Sequence, residues 1–149
     1  MPEVFIGSDH RGFAAKNVLK EQLALQGYAV TDLGPDTYDE ADDYNDAAIK
    51  VARAVREHEG ARGILLCGSA HGVAIQANRF KGIRAIEAQT EELVQLGREH
   101  NNANILCLSA DYIPENVIDR LANIFLNTAF SDEERHVRRN KKLDEVGEN

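Results

Sequence analysis

Gly63-Ile64-Leu65-Leu66-Cys67-Gly68-Ser69-Ala70-His71-Gly72 holds an apolar run that does not alternate with polar residues and breaks at once into a Gly-Ser turn. A strand that is apolar on both faces is covered on both sides, the setting of a parallel sheet. Ala70, Val73, Ala74 and Ala77 then form a short helical face of small residues suited to close packing on that sheet. The same alternation extends in both directions. Val4–Gly7, Tyr28–Leu33, Ile83–Ile86 and Asn104–Leu108 read as further strands. Between them, Ala15, Val18, Leu19 and Leu23, then Ala48, Val51, Ala52 and Val55, then Leu93, Leu96, Gly97 and His100 recur at helical spacing. Pro114 can occupy the first turn of a helix carrying Val117, Leu121, Ile124 and Phe125, and Ser131-Asp132-Glu133-Glu134 has the form of a capping box opening a last, charged helix through Lys142.

Five strands alternating with helices predict an α/β fold: a three-layer sandwich on a Rossmann-like five-stranded parallel sheet, since right-handed crossovers place helices on both faces. The most economical strand order is 2-1-3-4-5. A chain of 149 residues is of single-domain size. Cys67 and Cys107 both sit in apolar runs and form no C-x-x-C pair, which suits a reduced, cytoplasmic protein. There is no apolar run of membrane-spanning length, and Met1-Pro2-Glu3-Val4 lacks the features of a secretory leader. A net charge of −8 argues against a nucleic-acid partner while leaving small anions open. The acidic stretch Pro35–Asp43 reads as turn chemistry rather than a metal site, and the five His and two Cys show no metal-ligand spacing, so neither metal nor cofactor is expected.

In an open parallel sheet ligands collect at the C-terminal edge of the strands. Ser8-Asp9-His10-Arg11-Gly12, the Cys67–Gly72 loop and Ser109-Ala110-Asp111 converge there. Cys67, ahead of a helix start, reads either as a thiol lowered toward neutrality by the helix dipole or as a small buried hydrophobe, as Cys107 does. Gly68, Ser69, Ala70, His71 and Gly72 could turn backbone N–H groups toward an anion. Asp9 could bond a sugar hydroxyl or merely cap a helix, and His10 could donate to a phosphate. Arg135 and Arg139, four residues apart on the last helix, suit either a phosphate clamp or a solvated face, while His58 and His136 default to the surface. The helix ending at His100 runs away from the Cys67 edge by roughly 15 Å, at about 1.5 Å per residue. If His100 acts on the same substrate as Cys67, it does so in a neighbouring subunit's site.

Taken together, Gly7-Ser8-Asp9-His10-x-Gly12, Gly63–Gly68 with Ser69 and Gly72, Ala77-Asn78-Arg79-Phe80-Lys81-Gly82-Ile83-Arg84-Ala85, His100-Asn101-x-x-Asn104 and Arg135-His136-x-x-Arg139 resemble the B-type ribose-5-phosphate isomerase family, which includes galactose-6-phosphate isomerase subunits. The likeness spans essentially the whole chain. It implies one sugar-phosphate isomerase domain over residues 1–149 and a metal-independent aldose–ketose isomerase, typically interconverting ribose 5-phosphate and ribulose 5-phosphate. By that analogy Cys67 moves a proton between C2 and C1 through an enediolate, and Ser69 with neighbouring N–H groups stabilises the enediolate oxygen. His100 assists ring opening, Asp9 meets sugar oxygens, Asn101 holds substrate, and His10, Arg135 and Arg139 bind phosphate. The resemblance also implies a homodimer or tetramer with composite sites, the last helix, about 131–144, reaching the partner.

Two positions depart from the family. Many relatives carry Arg in the turn after the fifth strand, where this chain has Asp111, and Ala70-His71 stands where Gly and a small residue are usual. His71 could supply the charge lost at Asp111, could meet the far end of another aldose phosphate such as allose or galactose 6-phosphate, or could simply face solvent. A sugar-phosphate-binding protein without activity is the other reading that Asp111 raises. A phospho-receiver domain would need an acid where Cys67 stands, and a small tyrosine phosphatase would need Arg where residue 73 is Val.

Overall fold

The computed structural model describes residues 1–147. The element order is β1 (Val4–Ser8), α1 (Phe13–Leu25), β2 (Val30–Asp32), α2 (Tyr44–Glu57), β3 (Arg62–Cys67), α3 (His71–Ala77), β4 (Ala85–Glu87), α4 (Glu91–Asn101), β5 (Ile105–Ser109), α5 (Glu115–Asn127) and α6 (Glu134–Asp144). All the strand pairs are parallel, so the α/β architecture read from the sequence is the observed one.

The strand order is β2-β1-β3-β5-β4, not 2-1-3-4-5. Two physical features exchange the last two strands. β5 is buried along its whole length, whereas β4 is three half-buried residues ending in Glu87, the profile of an edge. Handedness agrees: right-handed crossovers tie the direction of each step across the sheet to the face that carries its helix. α1, α4 and α5 bury Leu19, Leu23, Val94, Leu121 and Phe125 in one core layer, while α2 and α3 bury Ala48, Val51, Ala52, Val73 and Ala77 in the other. Because α4 shares a face with α1, the step from β4 to β5 runs in the same direction as the step from β1 to β2. The chain therefore returns from the edge to fill the place beside β3.

Helix α4 turns Val94, Gly97 and Arg98 inward and leaves Leu93 half exposed, a different face from the predicted one. Arg98 can be buried because its guanidinium donates to the carbonyls of Thr128 and Ala103 and to Asn102 Oδ1. The predicted capping box does not form. Asp132 takes a left-handed φ of 57°, and Ser131 Oγ instead accepts the Glu133 N–H at 3.3 Å and pairs with His136 Nδ1 at 2.9 Å.

One buried ionic network fixes the turn beyond β2. Lys16 is fully buried, and its Nζ donates to Asp32 Oδ1 at 3.0 Å and to the Pro35 carbonyl. Lys20 holds the other Asp32 oxygen at 2.8 Å, and the Gly34 N–H donates to the first. Burial pushes the Asp32 carboxyl up, but the two ammonium groups and the Gly34 N–H outweigh it and hold the carboxyl below its usual range. Among the described residues no helix is long and apolar enough to cross a membrane.

Candidate active site

The sheet register sets Ser8 beside Leu66 and Cys67 beside Ser109, so the segments after β1, β3 and β5 leave the sheet together at its C-terminal edge. Further hydrogen bonds lock them. Asp9 N donates to Leu66 O, Ala110 N to Cys67 O at 2.9 Å, Asp111 N to Gly68 O, and Ser109 Oγ to Gly68 O at 2.6 Å. The result is an open depression walled by Asp9, Arg11, Tyr44, Cys67, Ser69, Asp111 and Tyr112, with Gly68 and Gly72 in its floor.

Cys67 is 5% exposed at the end of β3. The loop that follows turns through Ala70 in a left-handed conformation (φ 72°), and the backbone N–H groups of Val73, Ala70 and Ser69 lie close enough to favour the thiolate. The thiol is nonetheless raised above its ordinary range: burial is the largest influence, the three N–H groups oppose it, and the Asp9 carboxylate adds to the rise. This corrects the expectation of a thiol lowered toward neutrality. Helix α3 has only seven residues, and its field does not offset desolvation. Cys107, fully buried, is pushed up much further.

Asp9 lies in the depression, 6% exposed, and its Oδ1 accepts the Gly12 N–H at 3.1 Å, tightening the turn into α1. Its neighbour His10 is held from the acidic loop by Asp42, whose Oδ1 meets both the His10 backbone N–H (3.0 Å) and Nδ1 (2.7 Å). That hydrogen bond raises the imidazole above its ordinary range and favours the cation. His71 does not offset Asp111: its Nδ1 turns to Glu87 at 2.8 Å. The partner of Asp111 is Arg11, whose Nε donates to Asp111 Oδ2 at 2.6 Å. Ser69 Oγ accepts the His71 N–H at 3.3 Å. Arg11, Tyr44, Asp42 and Tyr112 were not singled out from the sequence. Tyr44 packs on Gly72, where an added Cβ would lie 2.7 Å from the tyrosine ring, a contact with no signal in the sequence.

The remaining candidates form a second group. His100 and Asn101 close α4 near the start of β5, where Arg84 Nε donates to the Asn101 carbonyl, at the sheet edge opposite Cys67. Helix α6 packs there: Asn140 Nδ2 donates to the His100 carbonyl, and the imidazoles of His100 and His136 lie 4.5 Å apart. His136 is not the surface residue expected. It is 5% exposed, and burial, the largest influence, lowers its pKa, with His100 and Arg135 adding to the effect. His100, Asn101, Arg135 and Arg139 are all exposed on this outer patch. One chain therefore carries two separate halves, one around Cys67 and one around His100. Among the described residues no group of three or more His, Cys, Asp or Glu side chains converges as metal ligands would.

The family described as Ribose/Galactose Isomerase matches residues 4–143 of the chain. A probable ribose-5-phosphate isomerase B of Mycoplasma genitalium is 38% identical over 141 residues, covering 94% of this chain and 92% of the relative. A D-erythrulose-4-phosphate isomerase of Pectobacterium atrosepticum is 33% identical over 130 residues, covering 87% of this chain and 86% of that one. Among solved structures, ribose 5-phosphate isomerase from Thermotoga maritima superposes with a TM-score of 0.92 at 40% identity, covering 97% of this chain and 99% of that one. The Mycoplasma genitalium ribose-5-phosphate isomerase B with bound ribulose 5-phosphate superposes with a TM-score of 0.91 at 37% identity, covering 96% and 94%. With the family model matched over residues 4–143 and the fold shared with solved relatives, this chain belongs to the ribose/galactose isomerase family.

Proposed function

We propose that the protein is a cytoplasmic aldose–ketose isomerase that interconverts ribose 5-phosphate and ribulose 5-phosphate, with Cys67 as the base. The observation that carries this reading is the position of Cys67: a thiol at the end of β3, lining an open depression beside Asp9 and Ser69. In the open-chain aldose, the Cys67 thiolate takes the proton from C2 and returns it to C1. The aldehyde oxygen gains a proton and the C2 hydroxyl loses one, so the carbonyl moves without net oxidation or reduction. A sulfur held above its usual pKa is a stronger base once ionised, with a smaller ionised fraction near neutrality. Ser69 and the Gly68–Gly72 loop stabilise the negative enediolate oxygen, and Asp9 orients the sugar hydroxyls.

The second half of the site comes from a partner. His100 and Asn101 of one subunit meet the Cys67 depression of another, His100 donating the proton that opens the sugar ring. Arg135 and Arg139, presented by α6, bind the phosphate together with His10. The unit is one domain assembled as a homodimer, or as a tetramer built from such dimers. The separation of Cys67 and His100 to opposite sheet edges supports this reading, because one chain cannot bring them together.

Conversion of ribose 5-phosphate, followed beside allose, galactose and erythrose phosphates, tests the activity and ranks the substrates. The Pectobacterium relative makes the four-carbon substrate a specific second reading. Mixing inactive Cys67→Ala and His100→Asn proteins tests the composite site. Random reassortment of a dimer regenerates one intact site in half of the molecules, about a quarter of wild-type activity. No recovery after exchange of subunits contradicts the shared site.

A further inference from the structure

We propose that Arg11 is a second cation, beside His10, with which the Cys67-bearing subunit itself binds the substrate phosphate, and that Asp111 is its positioning partner; the identity of the ligand rests on the isomerase reading above. Among the described residues that wall the depression, Arg11 is the one basic side chain, while Asp9 and Asp111 are acidic. Without Arg11, the charged side chains that wall the depression would offer a phosphate dianion only like charge. His10, paired with Asp42, and His71, whose Nδ1 turns to Glu87, both lie outside these walls. Arg135 and Arg139 belong to the opposite end of the same chain.

Three features make Arg11 a built element rather than a loose surface residue. Its Nε and one terminal nitrogen both contact the same Asp111 oxygen, Oδ2, which leaves further N–H donors of the guanidinium free for a second, bidentate partner. The ion pair lies directly on Gly68, the residue after Cys67. A Cβ there would come within 2.7 Å of Arg11 Nε and 2.9 Å of Asp111 Oδ2, so the absent side chain is what admits the pair. Asp111 is anchored in turn by its backbone N–H to Gly68 O. Arg11 is the more exposed member, 58% against 31%, and so forms the outer, ligand-facing side of the pair.

The alternative role for Arg11 is to neutralise Asp111 and nothing more. The full-length wild type, Arg11→Ala and the double variant Arg11→Ala/Asp111→Asn separate the two, read by calorimetric binding of inorganic phosphate and by steady-state kinetics with ribose 5-phosphate. Loss of a charged hydrogen-bond partner predicts about 10- to 100-fold weaker phosphate binding and a matching rise in KM for Arg11→Ala, with a smaller change in kcat. The double variant removes the uncovered carboxylate and recovers part of the loss, yet stays about tenfold weaker than wild type. Full recovery of phosphate affinity and KM in the double variant overturns the proposal, as does phosphate binding that is absent from the wild type or unchanged in Arg11→Ala. A wild type that isomerises no aldose phosphate but loses phosphate binding in both variants defeats the isomerase reading and leaves the Arg11 assignment standing.

Discussion

Replacing Gly72 by Ala sets helix stability against the shape of the depression. An added Cβ at Gly72 would lie 2.7 Å from Cε1 of Tyr44 and 2.8 Å from Cδ1 and Cζ. Restoring ordinary carbon contact requires the ring to withdraw by about 1 Å. Tyr44 is the first residue of α2 and is 40% exposed, so it can swing outward without disturbing the core. Displacing it costs about 1 kcal/mol, at the low end for overpacking. Exchanging Gly for Ala in a helix returns up to about 1 kcal/mol. The two nearly cancel, and Tm should move by no more than about 4 °C for a chain of this size. Activity has no such compensation. The ring walls the depression proposed to hold the substrate, and a displacement of about 1 Å at a positioning surface lowers kcat/KM by about 100-fold. Thermal unfolding and ribose 5-phosphate kinetics on the same preparation read both quantities. Unchanged kcat/KM in a stable variant would refute the proposal that this depression holds the substrate. A loss of several kcal/mol would show instead that the ring cannot yield.

Asp42→Asn replaces the charged acceptor that raises His10 with a neutral amide oxygen. Since a raised pKa keeps the imidazolium to higher pH, KM for a sugar phosphate should begin its rise with pH earlier in the variant than in wild type. Coincident KM–pH profiles contradict the role of the pair. Asp32→Asn leaves fully buried Lys16 without its carboxylate and should destabilise the fold by about 3 kcal/mol in urea unfolding. Because the Asp32 pKa is depressed in the folded state, its contribution is present above the unfolded carboxyl value of about 3.9 and is lost as pH falls through the folded one. The gap between wild type and variant should therefore close in acid, and a gap that persists contradicts the assignment. Alkylation of the ligand-free protein should be slow at neutral pH, accelerate above about pH 9 and modify Cys67 before Cys107; fast neutral labelling of Cys67 contradicts the raised thiol.

The strands and their parallel sense were legible because unbroken apolar runs leave no polar face to turn toward water: Ile64, Leu65, Leu66 and Ile105–Leu108 are buried on both sides. Their order was not, since the short run ending in Glu87 fits an edge only once β5 is seen to need cover on both sides. The exchange of β4 and β5 follows from which helices share a face, a property of the assembled layers. The Cys67 loop and Asp9 were legible because reactive residues at strand ends converge in any parallel sheet. Arg11 and Asp111 meet across 100 positions of chain, and only the closure of the turns after β1 and β5 on Gly68 brings them together. His136 shows the same limit: among basic neighbours in the sequence it reads as surface, yet α6 lays it against His100.

Proton transfer by Cys67 is tested most directly in deuterated water, with wild type and Cys67→Ala each incubated with ribose 5-phosphate and followed by proton NMR. Wild type should form ribulose 5-phosphate and introduce solvent deuterium at C1 of the ketose and C2 of the recovered aldose. Cys67→Ala should do neither while still binding the sugar phosphate. Conversion and exchange by Cys67→Ala at the wild-type rate would contradict the assignment of Cys67 as the base.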